Sequence, residues 1–279
     1  MKVAIIGAQG MLGQELMNTF HEYKPIQWNH SDFDITDRKQ SVQLVSNQKP
    51  GLVINASAFN DVDKAEGEEA IAMNINGYGP GYLASAVEAA GGILVHFSTD
   101  YVFNGNIVKG YREDDIPDPI SIYGKSKLLG ENEVRRKCHC HYIIRLSRLF
   151  GKNSRGRSGK KSFVELMLTL AQSKKELDIV DEELSSPTYA KDLADRTKYL
   201  IDNQLPFGTY HITNQGACTW FGFAQEIFTQ SGISVKLNPV AGSFYPRAAK
   251  RPPYSVLLNT KLPHMRRWEE ALKSYLLRP

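Results

Sequence analysis

The sequence has little cysteine, no long apolar run and a small net charge, and each shortage closes off a class of protein. Three cysteines in 279 residues cannot build a disulfide framework. The cluster Cys138-His-Cys140-His141 has no second ligand group at zinc-site spacing, so it reads as a helix end leading into a buried strand, and no metal is expected. No apolar stretch is long enough to span a bilayer and no secretory leader is recognisable, which sets the expectation of a reduced, cytoplasmic protein without membrane contact. The net charge is only +4, and the basic residues are scattered apart from Arg135-Arg-Lys137 and residues 155–161. No nucleic-acid partner is expected, although such local clusters suit a phosphorylated small molecule. Internal repeats and low-complexity segments are also missing.

A hydrophobic content of 42% and a charged content of 23% are ordinary for a globular chain, and this length buries one elaborated domain or two closely joined lobes. Apolar, β-branched runs near residues 2–6, 26–28, 52–55, 93–97 and 142–146 alternate with helical patterns near 11–20, 38–47, 79–90 and 123–136. That alternation predicts an α/β fold, a Rossmann-like doubly wound parallel sheet with a smaller, discontinuous C-terminal substrate lobe. The nucleotide-binding domain is expected over 1–150, rejoined by about 186–213 through a helix at 190–201 and a late strand at 208–213. Residues 151–185 and 214–279 are expected to form the substrate lobe.

The first strand runs straight into Gly7-Ala-Gln-Gly10-Met-Leu-Gly13 and then a helix. Glycines there allow a sharp turn and close approach of a ligand, and the helix-start N–H groups face a pyrophosphate. The third strand ends in Asn55-Ala-Ser-Ala58, whose small side chains let a flat cofactor lie against the backbone, and the fourth leads into Ser98-Thr-Asp-Tyr-Val-Phe103. Tyr123 and Lys127 stand four residues apart on one helix, so the ammonium is expected to sit near the phenol and favour its ionised form. Thr99 can donate a hydrogen bond to a carbonyl oxygen at the same sheet edge. Each feature alone has a plain explanation: a structural glycine turn, local capping by Ser98 and Thr99, a surface helix with an incidental Tyr and Lys. Their convergence on one edge favours catalysis. The second strand ends in Asn29-His-Ser-Asp32 with no carboxylate at its end, which favours NADPH with NADH also used, although Asp32 or Asp34 could still reach the ribose.

Longer runs carry a resemblance. They are Asn55-Ala-Ser-Ala-Phe-Asn-Asp-Val-Asp-Lys-Ala-Glu66, Ser98-Thr-Asp-Tyr-Val-Phe103, Tyr123-Gly-Lys-Ser-Lys127, Ser186-Pro-Thr-Tyr-Ala-Lys-Asp-Leu193, Gly208-Thr-Tyr-His211 and Arg251-Pro252. On these the sequence resembles the extended short-chain dehydrogenase/reductases, and within them the dTDP-4-dehydrorhamnose reductase family, over nearly the whole chain. The resemblance implies reduction of the C4 ketone of dTDP-4-dehydro-6-deoxy-L-mannose to dTDP-L-rhamnose, supplying a cell-surface polysaccharide, with a dTDP-linked 4-keto-deoxysugar as partner and a homodimer as candidate assembly. It implies Tyr123 as proton donor, Lys127 as its electrostatic support and ribose ligand, and Thr99 as a hydrogen-bond donor to the ketone. Gly7, Gly10, Met11, Leu12, Gly13, Asp34, Ile35, Ser57, Ala58 and Phe59 are implied to line the cofactor, Asp100 to meet the sugar, and Arg247 and Arg251 the nucleotide diphosphate. Two departures fall in the sugar and nucleotide region: Arg148 replaces an aromatic residue that packs on the sugar, and Tyr254 stands where the family has Asn. A 4-ketoreductase of another nucleotide-linked deoxysugar, and a non-catalytic NADP-binding regulatory subunit like that of methionine adenosyltransferase, are the alternatives.

Overall fold

The computed structural model describes residues 1–30, 32–155 and 161–277. Ser31 and most of the basic run at 155–161 lie outside the described residues. The strands are β1 (Val3–Ile6), β2 (Ile26–Trp28), β3 (Leu52–Asn55), β4 (Ile93–Thr99), β5 (His141–Leu146), β6 (Leu149–Phe150), β7 (Glu176–Val180), β8 (Thr188–Tyr189), β9 (Gly208–His211) and β10 (Lys236–Val240). The helices are α1 (Met11–Thr19), α2 (Arg38–Gln48), α3 (Val62–Gly67), α4 (Glu69–Met73), α5 (Gly79–Ala89), α6 (Ile122–Lys137), α7 (Phe163–Ala171), α8 (Ala190–Asp202), α9 (Trp220–Ser231) and α10 (Trp268–Leu276).

The central sheet is parallel throughout, in the order β2-β1-β3-β4-β5-β9. Its inner strands are apolar on both faces because both faces are covered, as parallel sheets require. Successive residues of β1 point to opposite sides: Val3 and Ile5 join Leu16, Phe20 and Leu193 beneath α1 and α8, while Ala4 and Ile6 join Val45, Leu83 and Val134 beneath α2, α5 and α6. Thus the Rossmann-type α/β fold read from the alternating pattern is the fold observed. α4 and α5 are joined through a π-helical turn, Asn74–Tyr78, which carries Asn76 inward.

A second, aromatic-rich core gathers Phe150, Met167, Ile179, Phe223 and Trp268 around two small sheets, β7 with β10 and β6 with β8. These four strands were not anticipated. They are two to five residues long and lack a clear alternation, and β7 finds its partner sixty positions away, Glu176 opposite Lys236. Between β10 and α10 the chain pairs with the loop that follows β4, where Tyr111 N–H donates to Val256 O (2.8 Å) and Leu258 N–H to Tyr111 O (2.7 Å).

Candidate active site

At the end of β1 the chain turns at Gly7 with φ +75°, and Gly10 N–H closes the turn onto Gly7 O at 2.9 Å. α1 then starts so close beneath that a Cβ on Gly13 would lie 2.0 Å from Gly7 O. Met11, Leu12 and Gly13 supply the first N–H groups of α1, which have no carbonyl a turn earlier to bond, and the N-cap Gly10 brings no side chain over them. A cradle that a Cβ would fill, at a helix start, fits a dinucleotide pyrophosphate. Beside it, Ser57 N lies 3.1 Å from where a Cβ on Gly7 would stand. Asn55 Oδ1 accepts from Ser57 N–H (3.1 Å) and Oγ (2.6 Å), while Asn76 grips Phe59 by both its N–H (2.8 Å) and its C=O (3.0 Å). Asp34 is exposed in a local turn, its Oδ1 accepting from Thr36 N–H (2.9 Å) and Oγ1 (2.8 Å), bonds that hold its carboxyl below the usual range. Ile35 is buried, and Asp32 turns back to accept from Asn29 N–H at 3.0 Å.

Tyr123 sits in the first turn of α6, and that turn is fixed from two sides. Ser121 Oγ caps it by accepting from Gly124 N–H (3.1 Å), and Glu66 of α3 accepts the Ile122 N–H at 2.9 Å. Thr99 stands beside the phenol, its hydroxyl donating to Asp100 Oδ1 at 3.1 Å. Lys127 is 3% exposed and donates to Phe97 O at 2.6 Å. The sequence led us to expect the ammonium to lower the phenol pKa. Instead, desolvation pushes the Tyr123 phenol up to about 12, with Asp100 adding to the rise and the Thr99 hydrogen bond offsetting part of it. Lys127 is itself pushed down to about 8 by burial, against the pull of Glu131. Loss of solvent sets the acidity here, and the phenol keeps its proton across neutral pH, the state a proton donor requires.

Asp100 is the residue implied to meet the sugar. Its buried carboxylate is turned into the protein, accepting from Ser147 Oγ (2.8 Å) and Ser255 Oγ (2.6 Å) as well as Thr99, and so ties the ends of β4 and β5 to the C-terminal segment. Burial nevertheless raises its pKa. Arg148 adopts a left-handed backbone, φ +41°, and its side chain clips the second core: Nη1 donates to Cys218 O (2.7 Å), Nη2 to Glu183 O (2.5 Å), and the guanidinium lies 4.1 Å from the Trp220 ring centre. Arg247 pairs with Glu183 and Arg251 with Asp63, each at 2.6 Å, so the two arginines expected at a diphosphate are here matched to carboxylates.

Several residues that support the site were missed. Glu66, Asp63 and Asn76 brace it through backbone groups of other elements; the first two lie in the Asn55–Glu66 run, but nothing in that run points to this role. Glu131 could have been found, since it continues the Tyr123–Lys127 spacing by one more turn. It is fully buried: Oε1 accepts from Arg145 Nε (2.8 Å) and Ser98 Oγ (2.6 Å), Oε2 from Arg145 Nη2 (2.7 Å) and Arg135 Nη2 (2.6 Å). Burial alone would raise its pKa, but these partners hold it at about 2. His211 of the Gly-Thr-Tyr-His run also serves structure, linking Arg145 (3.3 Å) to Leu258 O (3.1 Å). At the other end of α6, His139 pairs with Glu88 and His141 Nδ1 meets Cys138 O. Among the described residues no three His, Cys, Asp or Glu are grouped to hold a metal ion, and no helix is long and apolar enough to cross a membrane.

Comparison with known proteins shows the family and the fold. The family model described as RmlD substrate binding domain matches residues 1–278. The spore coat polysaccharide biosynthesis protein SpsK of Bacillus subtilis (strain 168) is 40% identical, over 99% of this chain and 96% of that protein. The crystal structure of a dTDP-4-dehydrorhamnose reductase from Clostridium acetobutylicum ATCC 824 superposes with a TM-score of 0.94 at 38% identity, covering 99% of this chain and 98% of that one. That of the dTDP-4-dehydrorhamnose reductase of Bacillus anthracis str. Ames in complex with NADP also gives a TM-score of 0.94, at 36% identity and 99% coverage of both chains.

Proposed function

The chain belongs to the RmlD substrate-binding-domain family, and from that premise we propose that it is an NADPH-dependent oxidoreductase reducing the C4 ketone of dTDP-4-dehydrorhamnose to dTDP-L-rhamnose for polysaccharide synthesis. The observation that carries this reading is the meeting of a protonated Tyr123, Thr99 and a buried Lys127 at the carboxyl end of β4, on the same sheet edge as the glycine cradle. A bound nicotinamide supplies the hydride. Tyr123 gives its phenolic proton to the ketone oxygen as that oxygen gains charge. Thr99 turns its hydroxyl from Asp100 toward the same oxygen, and Lys127 keeps two N–H groups beyond the one held by Phe97 O for the ribose and the developing phenolate. Gly7, Gly10 and the N–H groups of Met11, Leu12 and Gly13 receive the pyrophosphate, with Ser57, Ala58, Phe59, Asp34 and Ile35 further along the cofactor.

Residues 1–150 with 186–213 act in this reading as the cofactor half, and 151–185 with 214–279 as the substrate half, where Arg247 and Arg251 exchange their carboxylates for the sugar-nucleotide diphosphate. A cytoplasmic setting and a homodimer complete it, the latter testable by sedimentation. The alternative substrate is another nucleotide-linked 4-keto-deoxysugar. Cofactor oxidation measured over a panel of such sugars, with NADPH and NADH, separates the two. Turnover with none of them overturns the reductase reading.

A further inference from the structure

We propose that Glu131 is a positioning residue of the reductase site, holding the Lys127 ammonium charged and the end of β4 in place from one helical turn beyond Lys127; the proposal rests on the reductase reading above. Tyr123, Lys127 and Glu131 succeed one another at four-residue spacing on α6, so a phenol, an ammonium and a carboxylate share one helix face. All of Glu131's bonding lies inside the protein: Arg135 on α6, Arg145 on β5 and Ser98 on β4 surround it, with His211 on β9 and Glu113 beyond Arg145. α6 could close against β5 with an apolar residue here, and a buried ion pair is weak evidence of stability. A carboxylate does two things an apolar residue cannot. It accepts from the hydroxyl of Ser98, the neighbour of Thr99, and it carries a negative charge one helical turn from a buried amine on the same helix face.

The amine needs that charge. Lys127 faces the Phe97 carbonyl and, also on β4, His96, a ring that burial and Lys127 itself keep neutral. Burial alone drives an ammonium toward its neutral form, and Glu131 is the group that opposes this at Lys127. Close approach of α6 makes the arrangement tight: Gly130, between Lys127 and Glu131, would set a Cβ 2.1 Å from Asn76 O.

The test uses Glu131→Gln and, because that variant leaves Arg145 buried and unpaired, also the double variant Glu131→Gln/Arg145→Met. Two readouts are compared with the unaltered protein: the titration of Lys127 in ligand-free protein, followed by ¹³Cε-lysine NMR and assigned with Lys127→Arg, and the alkaline limb of the kcat/KM profile. Both are expected to move to lower pH by about one unit or more in the folded variants. An unmoved Lys127 titration in a folded variant overturns the proposal and leaves Glu131 as a clip between α6 and β5. A shifted titration in a protein whose unaltered form reduces no sugar of the panel upholds the coupling and overturns the reductase reading instead.

Discussion

At Tyr123 and Lys127 the residue-scale physics is set by desolvation. A phenol raised to about 12 stays protonated across neutral pH but is a weak acid, so it gives up its proton only as the ketone oxygen gains charge. Tyr123→Phe keeps the ring packed edge-on against Tyr101 and removes only the proton. Turnover should fall by ~10²–10⁴ with cofactor affinity nearly unchanged, as measured by stopped-flow reduction and cofactor fluorescence; activity within a few-fold of the unaltered protein removes Tyr123 from its role. Lys127→Ala should weaken both binding and rate. Arg148 behaves differently from what its position alone suggested. Two of its nitrogens are committed to the carbonyls of Cys218 and Glu183, so Arg148→Trp strands two acceptors and should lower stability by ~1–3 kcal/mol. Its effect on the ratio of kcat/KM between two 4-keto sugars should stay within a few-fold if the arginine is chiefly a clip; a larger swing returns it to sugar selection.

Among the elements, α6 carries the most consequence. Its start is held by Ser121 and Glu66, its middle by the glycine face against the π-helical turn, and its later turns by Glu131 with Arg145. Ser121→Ala should cost ~1 kcal/mol and loosen the turn that bears Tyr123. Gly130→Ala has nowhere to put its methyl group except against the Asn76 carbonyl, so α6 must move outward. Overpacking of this kind costs ~1–3 kcal/mol, and because Lys127 travels with the helix, kcat should fall more than the thermal midpoint implies. Denaturant unfolding and steady-state kinetics on the same preparation check both. Loss of stability with kcat untouched would show that the site tolerates the shift.

For the molecule as a whole, acid should act in two steps. Burial, with Arg145 close by, lowers His211 from 6.5 to about 4, so the folded state holds it neutral; its contribution is complete above 6.5 and is lost as the pH falls toward 4. Glu131 is lowered from 4.5 to about 2, so its contribution is complete above 4.5 and is lost between there and 2. Stability measured by urea unfolding at successive pH values should therefore decline from just below neutrality and keep declining to pH 2. His96 and His141, also lowered by burial from 6.5, contribute to the same decline, so His211→Gln should shrink its upper part without abolishing it and leave the lower part. A stability flat from pH 7 to 4.5 in the unaltered protein would contradict the assignment to His211.

The sequence by itself determined the sheet's inner strands, the glycine turn and the shared helix face of Tyr123 and Lys127. These depend on period, on spacing and on the missing side chains of Gly7 and Gly13, all of which act within a few residues. The same spacing extends one more turn to Glu131. What only the tertiary structure decided is how those groups behave. The acidity of Tyr123 follows from the solvent removed around it, and the orientation of Asp100 from a serine 155 positions away. The pairing of Arg247 with Glu183 and of Arg251 with Asp63, and the pairing of β7 with β10, join segments far apart in the chain. Solvent exclusion and distant partners are properties of the packed molecule, and no local pattern encodes them.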